Sequence, residues 1–300
     1  MFRRLLQGLR RQRTAQLTLI DADGGRAQVL HATDEPIEAP HWSPDGHWLV
    51  FNCAGGLFRI RADGSGRHER IDTGPISDIG NDHLISPDGS TLYFTAAGAI
   101  HAVAFAGGIP HRVSPAHGPD SQIPLYLHGI TSDGLSLACV GVLPGTSRGA
   151  VQVFELGVTD GSVRQVTRHE APVDGPEFSP DGRFLYVNAE WQARRPGDSQ
   201  LFRMRRDGTQ TEQLTFDERV NWFPHVSPDG RQLAYLSYPS GTAGHPANLP
   251  VVLRTLPADG GTPRDVASLT GGQGTINTNS WSPDGLRLAY VAYPLASDLR

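Results

Sequence analysis

The chain has 300 residues, 38% of them hydrophobic and 19% charged, which suits either two ordinary globular domains or one large all-β domain. All 26 basic residues are arginine, which removes Schiff-base and lysine-nucleophile chemistry. Five arginines stand in the first thirteen residues without an acid, leaving 21 arginines against 31 acids in the rest, a balance that argues against nucleic-acid binding.

The opening stretch "MFRRLLQGLRRQR" sets Phe2, Leu5, Leu6 and Leu9 at helical spacing among its arginines. One reading is a basic helix for a membrane surface or a partner. The preferred one is a short helix resting on the body, because one or two turns are marginal alone. No apolar run of secretory or membrane-spanning length is visible, so the expected location is cytoplasmic. Residues 1–14 are thus read as a basic extension and 15–300 as a single domain.

From residue 17 onward the chain repeats itself. A hairpin-like "LTLIDADGGRAQVL" comes first. Then "SPDG" recurs with aspartates at Asp45, Asp88, Asp181, Asp229 and Asp284, and "TSDG" supplies a sixth at Asp133. A period in the forties with turn-rich, strand-like units signals a propeller. Each turn leads into an alternating run, "HWLVFN", "STLYFT", "LSLACVGV", "RFLYVN", "RQLAYLS" or "LRLAYVA", which predicts a strand. A second hairpin with Asp-Gly or Gly-Gly follows in each unit but the last, as in "LFRIRADGSG" and "LFRMRRDGTQ". Each unit therefore holds four antiparallel strands, a to d. The orphan first hairpin and the orphan last one complete each other in one blade, which removes two open edges. The expected fold is an all-β, six-bladed propeller closed by pairing of residues 17–30 with residues 280–293. Cys53 and Cys139 take equivalent places in different repeats, so no disulfide is expected. Ser-Pro-Asp-Gly is a turn by mechanism: Pro presets φ, Asp accepts backbone hydrogen bonds and Gly takes positive φ. The six aspartates are accordingly read as structural.

The repeated "SPDG", strand, then "DG" or "GG" hairpin resembles the TolB-like, or PD40, six-bladed β-propellers over about residues 15–293. That family includes translocation-system scaffolds, propeller domains attached to peptidases, and carbohydrate-active lyases. The resemblance implies the fold and leaves the activity open.

Strand a of a propeller lines the central channel, so the residues just before each "SPDG" converge there. Trp42, Ile85, Ile130, Phe178, Val226 and Trp281 immediately precede the turns and form an apolar packing column. One or two places earlier stand His41, His83, His128, Glu177 and His225. Glu38, Asn81, Asp82 and Gln273 crowd the loops on the face opposite the SPDG turns, and Trp191, Tyr238, His245 and Asn248 come from the b–c loops of that face. Imidazoles mixed with carboxylate suit a divalent metal such as Mn or Zn. The alternative is a wet polar channel whose imidazoles bond to water and backbone. His41 and His225 lie two residues before the turn and His83 and His128 three, so alternation aims the pairs differently unless a bulge intervenes.

Two functions follow. In the first, the protein acts on a small saccharide. The resemblance to oligogalacturonate lyases implies metal ligands at His83, His128, His225 and Gln273, with His245, His41 or an arginine as the base. A hydrolase variant would use Glu38 and Glu177 as its carboxylate pair. Trp191, Trp222 and Tyr238 could stack on a sugar or plug the core, with Asn81, Asp82 and Asn248 as polar contacts. In the second, the protein is a non-enzymatic rim for a protein partner, which calls for an exposed apolar patch and no bound ion.

Overall fold

A computed structural model describes residues 13–116, 122–144 and 151–295. The basic extension lies almost entirely outside the described residues. The secondary structure is β throughout, apart from isolated turns. Five blades are four-stranded antiparallel sheets in simple up-and-down order, and their innermost strands are Ile37–Trp42, Ile79–Ile85, Leu125–Ile130, Val173–Phe178 and Val220–Val226.

The sixth blade closes the ring as the sequence predicts. Strand Ala15–Asp21 pairs with Ala27–Thr33 on one side and Arg287–Ala292 on the other, with Gln16 opposite Ala292 and Asp21 opposite Arg287. The clasp continues outward through the Arg13–Leu295 bridge, and the Arg13 guanidinium donates to the Tyr293 carbonyl at 2.7 Å. The innermost position of this blade is not a regular strand. It is held by the Trp281–Leu288 bridge and by Val291 N donating to Thr275 O at 3.1 Å. The glycines of "TGGQGT" account for this, since Gly272 and Gly274 adopt φ of 122° and 91°, which no ladder accommodates.

The core is divided among the joints. Six apolar clusters each draw on two neighbouring blades, such as Val50, Leu57 and Ile71 of blade 1 with Ile79, Ile85, Leu92 and Phe94 of blade 2. No single centre exists, so the axis is left to polar residues.

The six turns are built alike. In each, the Ser hydroxyl (Thr131 in blade 3) donates to the Asp carboxylate, at 2.5 Å for Ser43–Asp45 and 2.6 Å for Ser179–Asp181. Each Asp also accepts the backbone N–H two residues on, as Asp229 does from Arg231 at 3.0 Å. The turns also touch around the ring. A carbon built on Gly89 would stand 3.9 Å from Pro44 of the preceding blade, on Gly134 3.6 Å from Pro87, and on Gly230 3.6 Å from Pro180. Gly46 meets Pro283 and Gly285 meets Pro228 in the same way. The exception is Gly182, which faces Arg206 instead, because blade 3 carries Ser132 where the other turns carry proline. The proline collar is thus broken at one joint, between blades 3 and 4.

Candidate functional site

All five regular innermost strands carry a register shift on the approach to their polar residue. The shifts fall between Glu38 and His41, Ile79 and His83, Leu127 and Gly129, Asp174 and Glu177, and Trp222 and His225. A bulge re-aims the following side chains, and one histidine of each pair, His41 and His128, lines the cavity described below while His225 and His83 do not. Three bulges contain a positive φ: Ala39 at 55°, Gly175 at 58° and Phe223 at 58°. For Ala39 and Phe223 this conformation costs energy that the surroundings must offset. The freed backbone groups are caught by the neighbouring blade. Ala39 N donates to Gly274 O at 2.7 Å, and Phe223 N to Asn188 Oδ1 at 3.1 Å. Asn52 donates to the carbonyls of Ile79 and Gly80, and Thr95 accepts from Leu127 N. Asn52, Thr95 and Asn188 sit late in the second strand of their blades. Aligning the repeats there would have revealed them as holders of the next blade's bulge.

A cavity of about 350 Å³ lies on the propeller axis, with all six blades contributing to its wall. It opens among the Ser-Pro-Asp-Gly turns, which corrects the expectation of a mouth on the opposite face. Pro44, Pro87, Pro180, Pro228, Pro283 and Ser132 form its rim. The polar residues that line it are His41, His128, Glu177 and Asn279, together with the turn serines Ser179 and Ser227.

Glu177 and His225 form the best-defined contact at the floor. His225 Nδ1 lies 2.6 Å from Glu177 Oε2, and its Nε2 lies 2.5 Å from the Ile276 carbonyl. A carbonyl only accepts, so Nε2 carries a proton. One further proton then lies between Nδ1 and the carboxylate, giving either an imidazolium with a carboxylate or an imidazole with a carboxylic acid. Glu177 Oε1 also accepts from Val226 N at 3.0 Å and from the Asn279 amide. This clasp joins blades 4, 5 and 6.

His41 and His128 are held in opposite ways. His41 Nδ1 meets the Asn279 carbonyl at 2.7 Å, so Nδ1 is the protonated nitrogen and Nε2 keeps its lone pair. Burial pushes its pKa down to about 4, with His225 adding to the effect and the Asn279 carbonyl opposing it. His128 Nε2 lies 3.3 Å from Asp174 Oδ1. Burial works against its charge, but the bond to Asp174 and the charges of Asp174, Asp82 and Glu177 outweigh burial and raise its pKa. Asp174 is lowered despite its burial, chiefly by the bond from His128. Asp82 is pushed up to about 6 by burial, with His128 opposing and Asp174 reinforcing. Glu38 is raised by burial and by Asp82.

The other expected site residues are dispersed. His83 is completely buried, and neither ring nitrogen makes a well-formed hydrogen bond, although the carbonyls of Val50 and Ala39 are near. Gln273 is half-buried with its amide oxygen unpartnered. Neither His83 nor Gln273 lines the cavity. Among the described residues, no group of three or more His, Cys, Asp or Glu side chains is arranged to hold a metal ion. The shell expected from His83, His128, His225 and Gln273 is therefore corrected: His225 has both nitrogens engaged, and the ring of His83 is sealed in a joint. Trp222 and Tyr238 plug the core between blades 5 and 6, with Tyr238 fully buried. His245 packs edge-on against Trp222 at 4.4 Å and Phe223 at 5.0 Å. Trp191 contacts His169 and Phe202 in a separate groove lined by Arg168 and Thr211, so it does not face the axial cavity. Asn248 is exposed, and Asn81 is half-buried in the bulged segment before His83.

No protein-family model matches the chain. An uncharacterized protein from Agrobacterium fabrum is 36% identical over 274 residues, 89% of this chain and 88% of its own length. A solved structure from Agrobacterium tumefaciens, provisionally assigned to TolB, superposes with a TM-score of 0.85 at 33% identity over 94% of this chain and 99% of its own. An oligogalacturonate lyase in complex with manganese superposes with a TM-score of 0.58 over 97% of this chain and 100% of its own, but at 14% identity that likeness is one of fold.

Proposed function

Because the chain belongs to the TolB-like six-bladed β-propeller family, we propose that its axial cavity is a proton-transfer site for a small saccharide. The observation that carries this reading is the pair of histidines on the wall of one cavity. His41 is held neutral with Nε2 available as a base, and His128, bonded to Asp174 and with its pKa raised by that bond and by the neighbouring carboxylates against the effect of burial, is the candidate acid. Environments that push two titratable groups apart assign the acid and base roles. The Glu177–His225–Asn279 clasp fixes the floor between them, and Asn279 orients His41 through its carbonyl. The cavity volume sits at the small end for ligand sites and suits one or two sugar rings. The whole-length fold likeness to an oligogalacturonate lyase supports the saccharide class. The residues present do not fit the metal shell that such a neighbour suggests, so no step is assigned to a metal here.

A partner platform calls for a contiguous apolar face. The most exposed large apolar side chains, Ile109, Phe216, Leu286 and Leu135, come from four different repeats, which does not favour that reading.

The test is turnover of a panel of neutral and uronate disaccharides. Mass spectrometry would read hydrolysis, and the ultraviolet absorbance of an unsaturated product would read elimination. His41→Ala and His128→Ala should each abolish product while the protein stays folded. Absence of both binding and turnover across the panel would overturn the proposal.

A further inference from the structure

The charges around the axial cavity say which saccharides it can accept. Among the described residues, His41, His128 and Glu177 are the titratable side chains in its wall, and no arginine lines it. Glu177 and His225 cancel whichever partner holds the shared proton, and protonated His128 cancels Asp174. His41 and His83 are neutral, and outside the lining Asp82 and Glu38 are carboxyls whose pKa burial raises, that of Asp82 to about 6 with His128 opposing.

The entrance points the same way. Each rim residue is followed in its turn by an aspartate, and each of these six carboxyls is held below the ordinary carboxylate range, first by the hydroxyl of its own Ser or Thr. Four arginines near these turns already have partners. Arg206 stands behind the Phe178 ring and is pinned by Glu155 at 2.6 Å, while Arg183 and Arg231 lean on Asp181 and Asp229. Arg287 lies over the Trp42 ring and works on Asp284. Among the described residues, Asp45, Asp88 and Asp133 make no ion pair.

From this arrangement we infer that the channel takes an uncharged or amine-bearing saccharide and rejects acidic ones, which sets it apart from a uronate-cleaving site. The inference rests on the cavity being the ligand site. Among the described lining residues an entering carboxylate would find no arginine, only His128, whose ring is already engaged by Asp174, and it would approach past the ionised carboxylates of the turns. An ammonium group meets the reverse, and hydroxyls are indifferent to the field and can donate to the Nε2 lone pair of His41.

The test uses the full chain and three sugars that differ mainly in charge: galactosamine, galactose and galacturonate. Binding is followed by calorimetry and by the imidazole NMR shifts of His41 and His128. Methylammonium and acetate, titrated on the same signals, provide a probe that does not depend on sugar recognition. Galactosamine and galactose should bind at least about tenfold more tightly than galacturonate, and methylammonium should act at lower concentration than acetate. Ser132→Arg, which places a guanidinium on the rim, should narrow or reverse the difference. Equal or tighter binding of galacturonate, or a preference for acetate, would overturn the inference and leave the saccharide reading standing. Methylammonium preference without any sugar binding would uphold the charge inference and overturn the saccharide reading. Silence from every probe would overturn both.

Discussion

Substituting His83 by leucine isolates the effect of one buried imidazole. The ring is fully buried, makes no well-formed hydrogen bond and has its pKa pushed down to about 3, mainly by burial and then by His41. The folded state therefore keeps His83 neutral where the unfolded chain, with a pKa of about 6.5, binds a proton. Below pH 6.5 the unfolded state gains that proton and stability falls by about 1.4 kcal/mol per pH unit, a loss that continues until the folded value is reached. Down to pH 4 the contribution of this one group is on the order of 3 kcal/mol. Leucine has nearly the same volume and no nitrogen to satisfy, so at pH 7.5 the variant should be neutral or about 1 kcal/mol more stable. Urea unfolding at pH 7.5, 6, 5 and 4 would measure both effects. The advantage of His83→Leu should be nearly constant above pH 6.5 and should grow by about 1.4 kcal/mol for each unit below it. A difference between variant and wild type that stays flat across this range would refute the buried, neutral assignment.

Ser132→Pro should complete the collar and, by restricting the unfolded chain, add about 0.4–1 kcal/mol, seen as a higher melting temperature; a loss would mean that residue 132 does not have the backbone of its proline counterparts. Gly230→Val places a β-branched residue at φ 72° and should cost roughly 1–3 kcal/mol in urea, and an unchanged midpoint would contradict the turn geometry. Glu177→Ala should cost about 3–5 kcal/mol, because it strands the buried His225 ring, the Val226 N–H and the Asn279 amide together, whereas Glu177→Gln should cost clearly less. Asp174→Asn should lower the His128 pKa, because burial is then opposed only by the charges of Asp82 and Glu177. Since a raised folded pKa stabilises below the unfolded value and loses that effect as pH rises through the folded one, the cost of the substitution should be largest below pH 6.5 and fade above it.

The repeat and its closure were legible because turn chemistry is local: Pro, Asp and Gly at fixed offsets announce themselves, and an orphan hairpin at each end has one economical partner. The level of the axial residues was legible too, since His41, His128 and Glu177 were placed there by counting back from each turn. Their directions were not, because the bulges lack a common residue signal: positive φ falls at Ala39 before His41 and at Gly175 before Glu177, and at no residue of the His128 bulge. Nor does the sequence tell that the ring of His83 is sealed into the joint with blade 1, or that both nitrogens of His225 are used by Glu177 and Ile276. Trp222 and Tyr238 read equally well as sugar platforms or core plugs, and only the packing between blades 5 and 6 decides for the core. The opening of the cavity escaped for a related reason. A ring of prolines reads as turn chemistry, while its role as a rim appears only when six turns are seen side by side.

The central claim is that His41 and His128 face one cavity in opposite protonation states. Long-range 1H–15N NMR of the imidazoles, followed from pH 8 to pH 5, tests it directly. The account predicts that His41 stays neutral, with the proton on Nδ1, across the whole range, and that His128 becomes doubly protonated above pH 6.5. A His41 that titrates near the ordinary histidine value, or a His128 that is still neutral below it, would contradict the acid–base assignment.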